Sequence, residues 1–213
     1  MTWVCREPQY NFIQRCCMRI LKCGPIPKHV GFIMDGNRRY ADRKNLPCSD
    51  GHTHGFLKLW CKDFGVEELS VYAFSIENFK RKQSEVTFLF QLASEKLQEL
   101  LSKRFCFRLS SIDVFAIPFG FSDIDPQLLS GCLHSRMSRP LDLLIRTSGE
   151  VRLSDFLVWS AATSGTVHKF VGDFWPDFSF WEFAQAILYY QLANTYLSVS
   201  VVQTDIISDL KPL

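Results

Sequence analysis

The order of short apolar runs and helical stretches constrains the fold of this chain more than any other feature. Brief runs of strand character alternate with stretches of helical periodicity. Such alternation is typical of βαβ units, whose strands are parallel. The predicted strands cover residues 29–34, 69–74, 114–117, 141–145 and 167–171. The sequence therefore predicts an α/β fold with a mainly parallel central sheet flanked by helices.

The helical stretches complete this arrangement, and the 213 residues suit a single domain covering 1–213. Helices are predicted at 11–23, from 38 onward, and at 51–64, 84–104, 153–162 and 180–192. The N-terminal helix, 11–23, is amphipathic, and Arg15, Arg19 and Lys22 form its basic side. Two interpretations of this helix stay open. It lies on an anionic membrane surface, or it packs on its own domain.

Composition excludes several classes of protein. With 24 basic and 22 acidic residues the formal charge is only +2, and no block of like charges occurs, so nucleic acid is not an expected partner. The eight cysteines contain no C-x-x-C pair and show no zinc-ligand spacing, so reduced thiols are expected. No apolar run approaches the roughly 18 residues of a spanning helix, and no secretory leader is recognisable, which predicts a protein facing the cytosol.

Three arginine-bearing segments each follow a predicted strand. Because the carboxyl ends of parallel strands meet at one edge of a sheet, the arginines of these segments can surround one ligand. Guanidinium groups suit phosphate because they are permanently charged and donate paired hydrogen bonds. Asp35 is a lone carboxylate among them and suits Mg²⁺ shared with substrate phosphates. The sequence predicts a magnesium diphosphate site in the segments 34–39, 74–81 and 145–154.

Four candidate site residues also have a simpler interpretation when each is taken alone: Asp35, His52, Arg81 and Ser154. Asp35 before Gly-Asn is then a turn or a helix cap, and Ser154 is an N-cap. Arg81 is then a solvated loop charge, and His52 is a structural hydrogen-bonding residue. The joint pattern favours the functional interpretation for the three arginine segments.

Four stretches of the sequence form a longer pattern: MDGNRRYA at 34–41, Gly51-His52, YAFSIENFKR at 72–81 and IRTSGEVRLSDF at 145–156. Together they resemble the cis-prenyltransferases, or undecaprenyl diphosphate synthase family, and within it the eukaryotic dehydrodolichyl diphosphate synthase branch. The resemblance implies repeated cis addition of isopentenyl diphosphate to an allylic primer, farnesyl diphosphate, with Mg²⁺ as cofactor. The product implied is a long polyprenyl diphosphate for dolichol synthesis and protein glycosylation.

The resemblance also implies a role for individual residues. Asp35 would bind Mg²⁺ on the allylic diphosphate and is the predicted catalytic residue, and Arg81 would serve the diphosphates of both substrates. The family pattern also assigns two sets of diphosphate-binding residues. His52 and Asn78 would assist in substrate binding. The allylic diphosphate would be held by Gly36, Asn37, Arg38 and Arg39. Isopentenyl diphosphate would be held by Arg146, Arg152 and Ser154.

Two departures from the family pattern shape the remaining expectations. Only residues 110–139 fill an interval in which the family has a further strand and flanking helices, so the sheet is expected to lack a central strand/helix segment. A non-catalytic family member that binds a partner or a prenyl diphosphate without turnover is therefore the alternative. The tail has no Arg-x-Gly motif, and the resemblance implies a Nogo-B receptor-type second subunit that supplies this motif. It also implies that the protein acts at the cytosolic face of the endoplasmic reticulum, with peripheral membrane contact.

Overall fold

The described part of the chain contains a four-stranded parallel sheet. The computed structural model describes residues 10–46, 60–72, 80, 83–88, 90–91 and 137–209, the last stretch with side chains to 195. The strands, in chain order, are β1 (His29–Ile33), β2 (Glu68–Tyr72), β3 (Leu143–Arg146) and β4 (Val167–Phe170). Their spatial order is β2-β1-β3-β4, and every neighbouring pair is parallel. The predicted α/β fold with a mainly parallel sheet is confirmed.

Helices flank this sheet, and they alternate with its strands along the chain. The helices are α1 (Phe12–Leu21), α2 (Asn37–Lys44), α3 (Trp60–Phe64), α4 (Val158–Thr163) and α5 (Phe180–Asp209), with a 3₁₀ turn at Trp175–Asp177. Residues 83–88 are also helical. In the described ranges, no helix combines the length and the apolar character needed to cross a membrane.

Two predicted helices differ from the observed ones. The helix predicted over 153–162 begins only at Val158, because Ser154, Asp155 and Leu157 have positive φ values that a right-handed helix does not allow. The helix predicted over 180–192 continues to Asp209, since no glycine or proline interrupts the chain there. The predicted strand at 114–117, residues 51–59 of one helix and most of the helix at 84–104 lie outside the described residues, as does the predicted gap in the sheet.

An aromatic core joins the sheet to α5 and α3. All five residues of β1 are buried, as expected for a central strand covered on both faces. On one side Phe183 of α5 packs edge-on against Phe64 at 5.3 Å between ring centroids and contacts Phe32 of β1 at 6.0 Å. Phe32 also meets Trp175 edge-on at 5.5 Å. The 3₁₀ turn that carries Trp175 is therefore fixed against the central strand.

Helix α1 packs on its own domain through one face. Leu21 is buried, and its carbonyl oxygen accepts a hydrogen bond of 2.6 Å from Gln191 Nε2 of α5. Asn11 and Gln14 form a reciprocal capping box that fixes the start of the helix. Part of the remaining helix surface is apolar yet solvent-exposed, with exposed fractions of 81% for Phe12, 65% for Ile13 and 71% for Ile20. Intradomain packing is thus observed, and a second apolar face remains on the surface.

The strand order places a crevice next to β1. β2 lies on one side of β1 and β3 on the other, so the direction in which the chain adds strands reverses at β1. Ligands of open α/β sheets bind at such switch points, outside the carboxyl ends of the strands. The segments that follow β1 and β3 begin there, at Met34 and Thr147.

Candidate active site

The loops that leave β1 and β3 are tied together by hydrogen bonds between the Thr147 side chain and the Asp35 backbone. Ile33 and Arg146 are register partners at the ends of the two strands. Beyond them, Asp35 N donates to Thr147 Oγ1 at 3.0 Å, and Thr147 Oγ1 donates to the Asp35 carbonyl at 2.9 Å. Thr147 is fully buried. This threonine therefore fixes the first arginine segment against the third.

Arg146 forms the inner layer of the site with Asp35 and Ser154. Only 3% of its side chain is exposed, and its Nη2 donates to Asp35 Oδ2 at 2.8 Å. Its Nη1 donates to Ser154 Oγ at 2.8 Å and to the Arg152 carbonyl. Its Nε is buried and has no acceptor in the described ranges. A buried donor without a partner is unusual and suits an anionic ligand.

Asp35 is held as a carboxylate in this arrangement. Burial by itself would raise the pKa of Asp35, but hydrogen bonds from Arg146 and from Gly36 N, together with the charges of Arg146 and Arg39, bring the pKa below its ordinary value. The side chain stays 33% exposed, so one edge faces solvent. The group is ionised at neutral pH and accessible to a cation.

An outer layer of charged side chains surrounds the Arg146–Asp35 pair. Glu150 bridges two arginines, with Oε1 at 3.3 Å from Arg39 Nη1 and Oε2 at 2.5 Å from Arg152 Nη1. Arg39 Nη2 donates to Ser148 Oγ at 2.7 Å and lies 3.6 Å from Asp35 Oδ1. Three arginines thus share two carboxylates, which leaves excess positive charge at the surface of the site.

Gly36 brings the start of α2 close to this cluster. Its φ is +93°, a left-handed value that disfavours residues with a Cβ atom. A Cβ on Gly36 would lie 2.7 Å from Phe174 Cδ1 and 3.0 Å from Ser148 Cβ. Gly36 N donates to Asp35 Oδ1 at 2.6 Å. The glycine is therefore required both for its backbone conformation and for the close approach of two other segments.

The first turn of α2 carries the remaining residues of the first segment. Arg38 is exposed and forms no ion pair with a described residue. Asn37 Nδ2 contacts the Met34 carbonyl at 3.5 Å, while its Oδ1 is buried and has no donor among the residues with described coordinates. Amides of a first helical turn have no partner within their helix. This end of α2 therefore offers several donors to an anion.

The loop after β3 is conformationally strained. Ser148, Ser154, Asp155 and Leu157 all have positive φ values although they are not glycines. Such conformations cost free energy and concentrate at functional sites. The strained loop turns Ser154 Oγ toward Arg146, and the Ser154 carbonyl accepts a 3.0 Å hydrogen bond from the Tyr72 hydroxyl.

Most of the predicted site residues come together in space. The cluster unites Asp35, Gly36, Arg39, Arg146, Arg152 and Ser154, with Asn37 and Arg38 beside it. The simpler interpretation of Ser154 as an N-cap is wrong, because Leu157 occupies that position of α4. Asp35 is likewise not the cap of α2, where Gly36 stands. His52, Asn78 and Arg81 lie outside the described residues.

Three residues of the site were not predicted from the sequence. Ser148 and Glu150 bind Arg39, and Phe174 packs against Gly36 from the connection between β4 and α5. A glutamate between Gly149 and Arg152 was a usable signal, because an acidic residue in a basic loop needs a cation as partner. No comparable signal pointed to Phe174, since an aromatic residue in an aromatic-rich stretch predicts only core packing.

The residues present fit a magnesium ion that takes few ligands from the protein. No group of three or more His, Cys, Asp or Glu side chains suited to a metal occurs in the described part of the chain. Asp35 offers an ionised, partly exposed carboxylate next to arginines that would bind phosphate. Mg²⁺ commonly binds through one or two carboxylates and completes its shell with phosphate oxygens and water.

Comparison with known proteins identifies the family of this chain. The family model for undecaprenyl diphosphate synthase matches residues 33–117 and 104–197. A dehydrodolichyl diphosphate synthase complex subunit of Homo sapiens is 35% identical over 258 residues, covering 92% of this chain and 76% of the relative. A dehydrodolichyl diphosphate synthase complex subunit of Schizosaccharomyces pombe is 32% identical over 253 residues, covering 89% and 95%.

A solved structure supports the fold independently. Lavandulyl diphosphate synthase from Lavandula x intermedia, in complex with dimethylallyl diphosphate, superposes with a TM-score of 0.63 over 78% of this chain and 95% of its own. Its 23% identity limits that comparison to the fold. The family model and the curated relatives cover most of the chain, including the loops that form the Asp35–Arg146 cluster. The chain belongs to the undecaprenyl diphosphate synthase family of cis-prenyltransferases.

Proposed function

We propose that this protein is a magnesium-dependent cis-prenyltransferase that adds isopentenyl diphosphate repeatedly to farnesyl diphosphate. The product would be a long-chain dehydrodolichyl diphosphate for dolichol synthesis and protein glycosylation. The single observation that carries the proposal is the ion pair between buried Arg146 and partly exposed Asp35, beside the open start of α2. The names of the human and yeast relatives, both dehydrodolichyl diphosphate synthase complex subunits, support the substrate class.

The allylic diphosphate is assigned to the segment after β1. The first turn of α2 has amides without partners in the helix, Arg39 belongs to the same turn, and helix N-termini attract phosphate. Asp35 would hold Mg²⁺, and Asn37 and Arg38 would complete the cradle. The ion, when bound, stabilises negative charge on the departing diphosphate. Gly36 allows the backbone to approach because it carries no Cβ atom.

Isopentenyl diphosphate is assigned to the segment after β3. Arg146 has a buried Nε donor without an acceptor among the described residues, and a diphosphate oxygen would supply one. Arg146 Nη1 contacts both Ser154 Oγ and the Arg152 carbonyl, and the Arg152 side chain is 64% exposed. Holding the alkene next to the allylic carbon makes the attack effectively unimolecular. Charge on the leaving diphosphate is stabilised by fixed arginines as the allylic C–O bond breaks and the new C–C bond forms. The isopentenyl unit then loses a proton to solvent, which restores a double bond.

Three further residues enter through the family pattern. Arg81 would contact the diphosphates of both substrates, and His52 and Asn78 would assist in binding them. In this proposal residues 1–213 form one domain, and Asp35 remains the catalytic residue. Alanine substitution of Arg81 should raise the KM for both substrates, whereas substitution of Arg152 should affect isopentenyl diphosphate alone.

The second candidate is a non-catalytic family member. The alignments with the two relatives extend over 258 and 253 residues, more than the 213 residues of this chain. Each alignment therefore includes positions that this chain does not fill. The family model also matches in two pieces that overlap at 104–117, as a missing central segment would produce. A protein that lacks part of the family fold could bind diphosphates or a partner without turnover.

A partner subunit and a membrane surface are part of the proposal. The relatives are named as complex subunits, which supports a heteromer, and we assign a Nogo-B receptor-type subunit at the cytosolic face of the endoplasmic reticulum. Peripheral contact would use the exposed apolar face of α1, since Arg15 and Arg19 are also exposed on this helix.

Membrane contact has a direct test. The double variant Phe12→Ser/Ile20→Ser should reduce flotation with phosphatidylserine-containing vesicles. Met137→Ser is the matched control because its side chain is 74% exposed but does not belong to α1. Equal flotation of all three proteins would contradict a role for α1.

Prenyl transfer decides between the two candidate functions. The experiment measures incorporation of labelled isopentenyl diphosphate into farnesyl-primed product, with Mg²⁺, by the chain alone and with a Nogo-B receptor-type subunit. Long product that disappears with Asp35→Ala would support the enzyme. Diphosphate binding without product, from a folded complex, would establish the non-catalytic alternative.

A further inference from the structure

The connection between β4 and α5 joins the two loops of the site. Ser148 N, in the loop after β3, donates to the Asp173 carbonyl at 2.7 Å. Trp175 N donates to the Asp35 carbonyl, in the loop after β1, at 2.9 Å. Phe174 stands between these two anchored residues. Its backbone is therefore fixed at the meeting point of the first and third arginine segments.

The Phe174 ring carries two guanidinium groups. Arg39 Cζ lies 5.5 Å from the ring centroid, and Arg43 Cζ lies 5.0 Å from it. Both distances are within the range of cation–π attraction. Arg43 is also ion-paired with Asp177, so its position over the ring is fixed from a second side. The same ring contacts Gly36, where a Cβ atom would approach Phe174 Cδ1 to 2.7 Å.

Arg39 depends on this support more than Arg146 does. Its side chain is 46% exposed, whereas that of Arg146 is 3% exposed. Its nearest polar partners, Ser148 and Glu150, belong to one strained loop, and Asp35 Oδ1 in the loop after β1 lies farther away at 3.6 Å. A long, exposed side chain loses rotamer freedom when it binds a ligand, and a surface that holds it beforehand reduces that cost.

We propose that Phe174 is a positioning residue that holds the Arg39 guanidinium toward the allylic diphosphate and thereby sets the affinity for that substrate. The inference rests on the proposed function, because it assigns the allylic diphosphate to Arg39. It adds a residue that lies outside the three arginine segments. The ring acts through its face, so an aliphatic side chain of similar size does not replace it.

The test measures binding to the full chain without turnover. Two titrations give Kd values, one with inorganic pyrophosphate and Mg²⁺ and one with a non-reactive farnesyl thiodiphosphate. The variants are Phe174→Leu, Phe174→Tyr, Arg39→Ala and the double variant Phe174→Leu/Arg39→Ala. Phe170→Leu is the matched control, because Phe170 stacks on His168 at 6.5 Å. Steady-state assays add the KM of each substrate and kcat.

Phe174→Leu should weaken farnesyl thiodiphosphate binding by about two- to five-fold, the size of an exposed cation–π contact. Phe174→Tyr should retain the affinity of the unchanged protein, and so should Phe170→Leu. The KM for farnesyl diphosphate should rise with Phe174→Leu, while kcat and the KM for isopentenyl diphosphate stay constant. In the Arg39→Ala background, Phe174→Leu should have no further effect.

The inference and the proposed function fail in different ways. If Arg39→Ala weakens diphosphate binding but Phe174→Leu does not, the positioning role of Phe174 is overturned and the proposed function stands. A Phe174→Leu effect that persists in the Arg39→Ala background also overturns it, because the ring would then act through something else. If Arg39→Ala leaves binding unchanged, the assignment of the allylic diphosphate to Arg39 is overturned, and the inference with it.

Discussion

Arg146 Nη2 lies 2.8 Å from Asp35 Oδ2, and the arginine is buried while the aspartate stays partly exposed. The pair joins the end of β3 to the end of β1. A buried guanidinium needs its counter-charge, because a buried unpaired charge is strongly unfavourable. Asp35 therefore serves stability and the proposed chemistry together, and its substitutions should show both effects.

Asp35→Ala should abolish prenyl transfer and also destabilise the protein. Removing the carboxylate takes a charge-assisted hydrogen bond from Arg146, a loss of about 2 kcal/mol in the free energy of unfolding. Asp35→Asn still offers an oxygen to Arg146, so it should lose activity with a smaller loss of stability. Urea unfolding and the incorporation assay measure the two effects. Full activity of Asp35→Asn would contradict the metal role.

Arg146→Lys should raise the KM for isopentenyl diphosphate by about ten-fold or more, because a lysine cannot donate to Asp35, Ser154 and a phosphate in the fork geometry of guanidinium. The KM for farnesyl diphosphate should change much less. Initial rates at varied concentrations of each substrate check this. An unchanged requirement for isopentenyl diphosphate would show that Arg146 supports the loop rather than the ligand.

Gly36→Ala and Gly65→Ala form a matched pair. Both glycines have φ +93°, but a Cβ atom at Gly65 meets nothing within 4 Å, whereas at Gly36 it meets Phe174 and Ser148. Left-handed alanine costs about 1 kcal/mol at either position. Gly36→Ala should cost more than Gly65→Ala in urea unfolding and should also weaken diphosphate binding. Equal costs would mean that the contact with Phe174 relaxes freely.

Glu182, near the start of α5, predicts a pH dependence of stability. Burial, and then its hydrogen bond with Asp173 and the charge of that residue, raise the pKa of Glu182 to about 7. The folded protein therefore holds this proton more tightly than the unfolded chain, so stability should fall as the pH rises from the ordinary glutamate range to about 7. Glu182→Gln does not titrate. Its melting temperature should exceed that of the unchanged protein at about pH 8 and match it at about pH 5.

Glu67→Gln provides the control of opposite sign. A hydrogen bond from Lys28 lowers the pKa of Glu67, so its contribution to stability is present at neutral pH and is lost as the pH falls through the folded-state value. The effect should be small because the carboxylate is exposed and screened by solvent. If Glu182→Gln and Glu67→Gln shift the melting temperature in the same direction at neutral pH, the assignment for Glu182 is wrong.

The sheet and the residues that directly follow its strands in the site could be predicted because their signals are local. Buried parallel strands appear as short continuous apolar runs, which located β1 to β4 within one or two residues. Asp35 and Arg146 directly follow such runs, so their meeting follows from the parallel arrangement. The start of α4 was misplaced because apolar periodicity extends into a loop whose positive φ values have no local signature.

Residues that act through distant partners could not be predicted in this way. Glu150 reaches Arg39 and Arg152 only because the strained turn at Ser148 and Gly149 directs it there. Phe174 reaches Arg39 across two loops that are far apart in the sequence. The position of such residues is a property of tertiary structure, which a pattern along the chain does not contain.

The way the β4–α5 connection closes the site has a consequence for biosynthesis. Residues 173–177 complete the contacts around Asp35 and Arg39, so a nascent chain cannot assemble the site until this late segment has left the ribosome. Parallel strands with long sequence separation also fold slowly. A magnesium diphosphate that binds only the completed site would therefore favour the native state by mass action, and substrate supply would influence how much newly made protein reaches it.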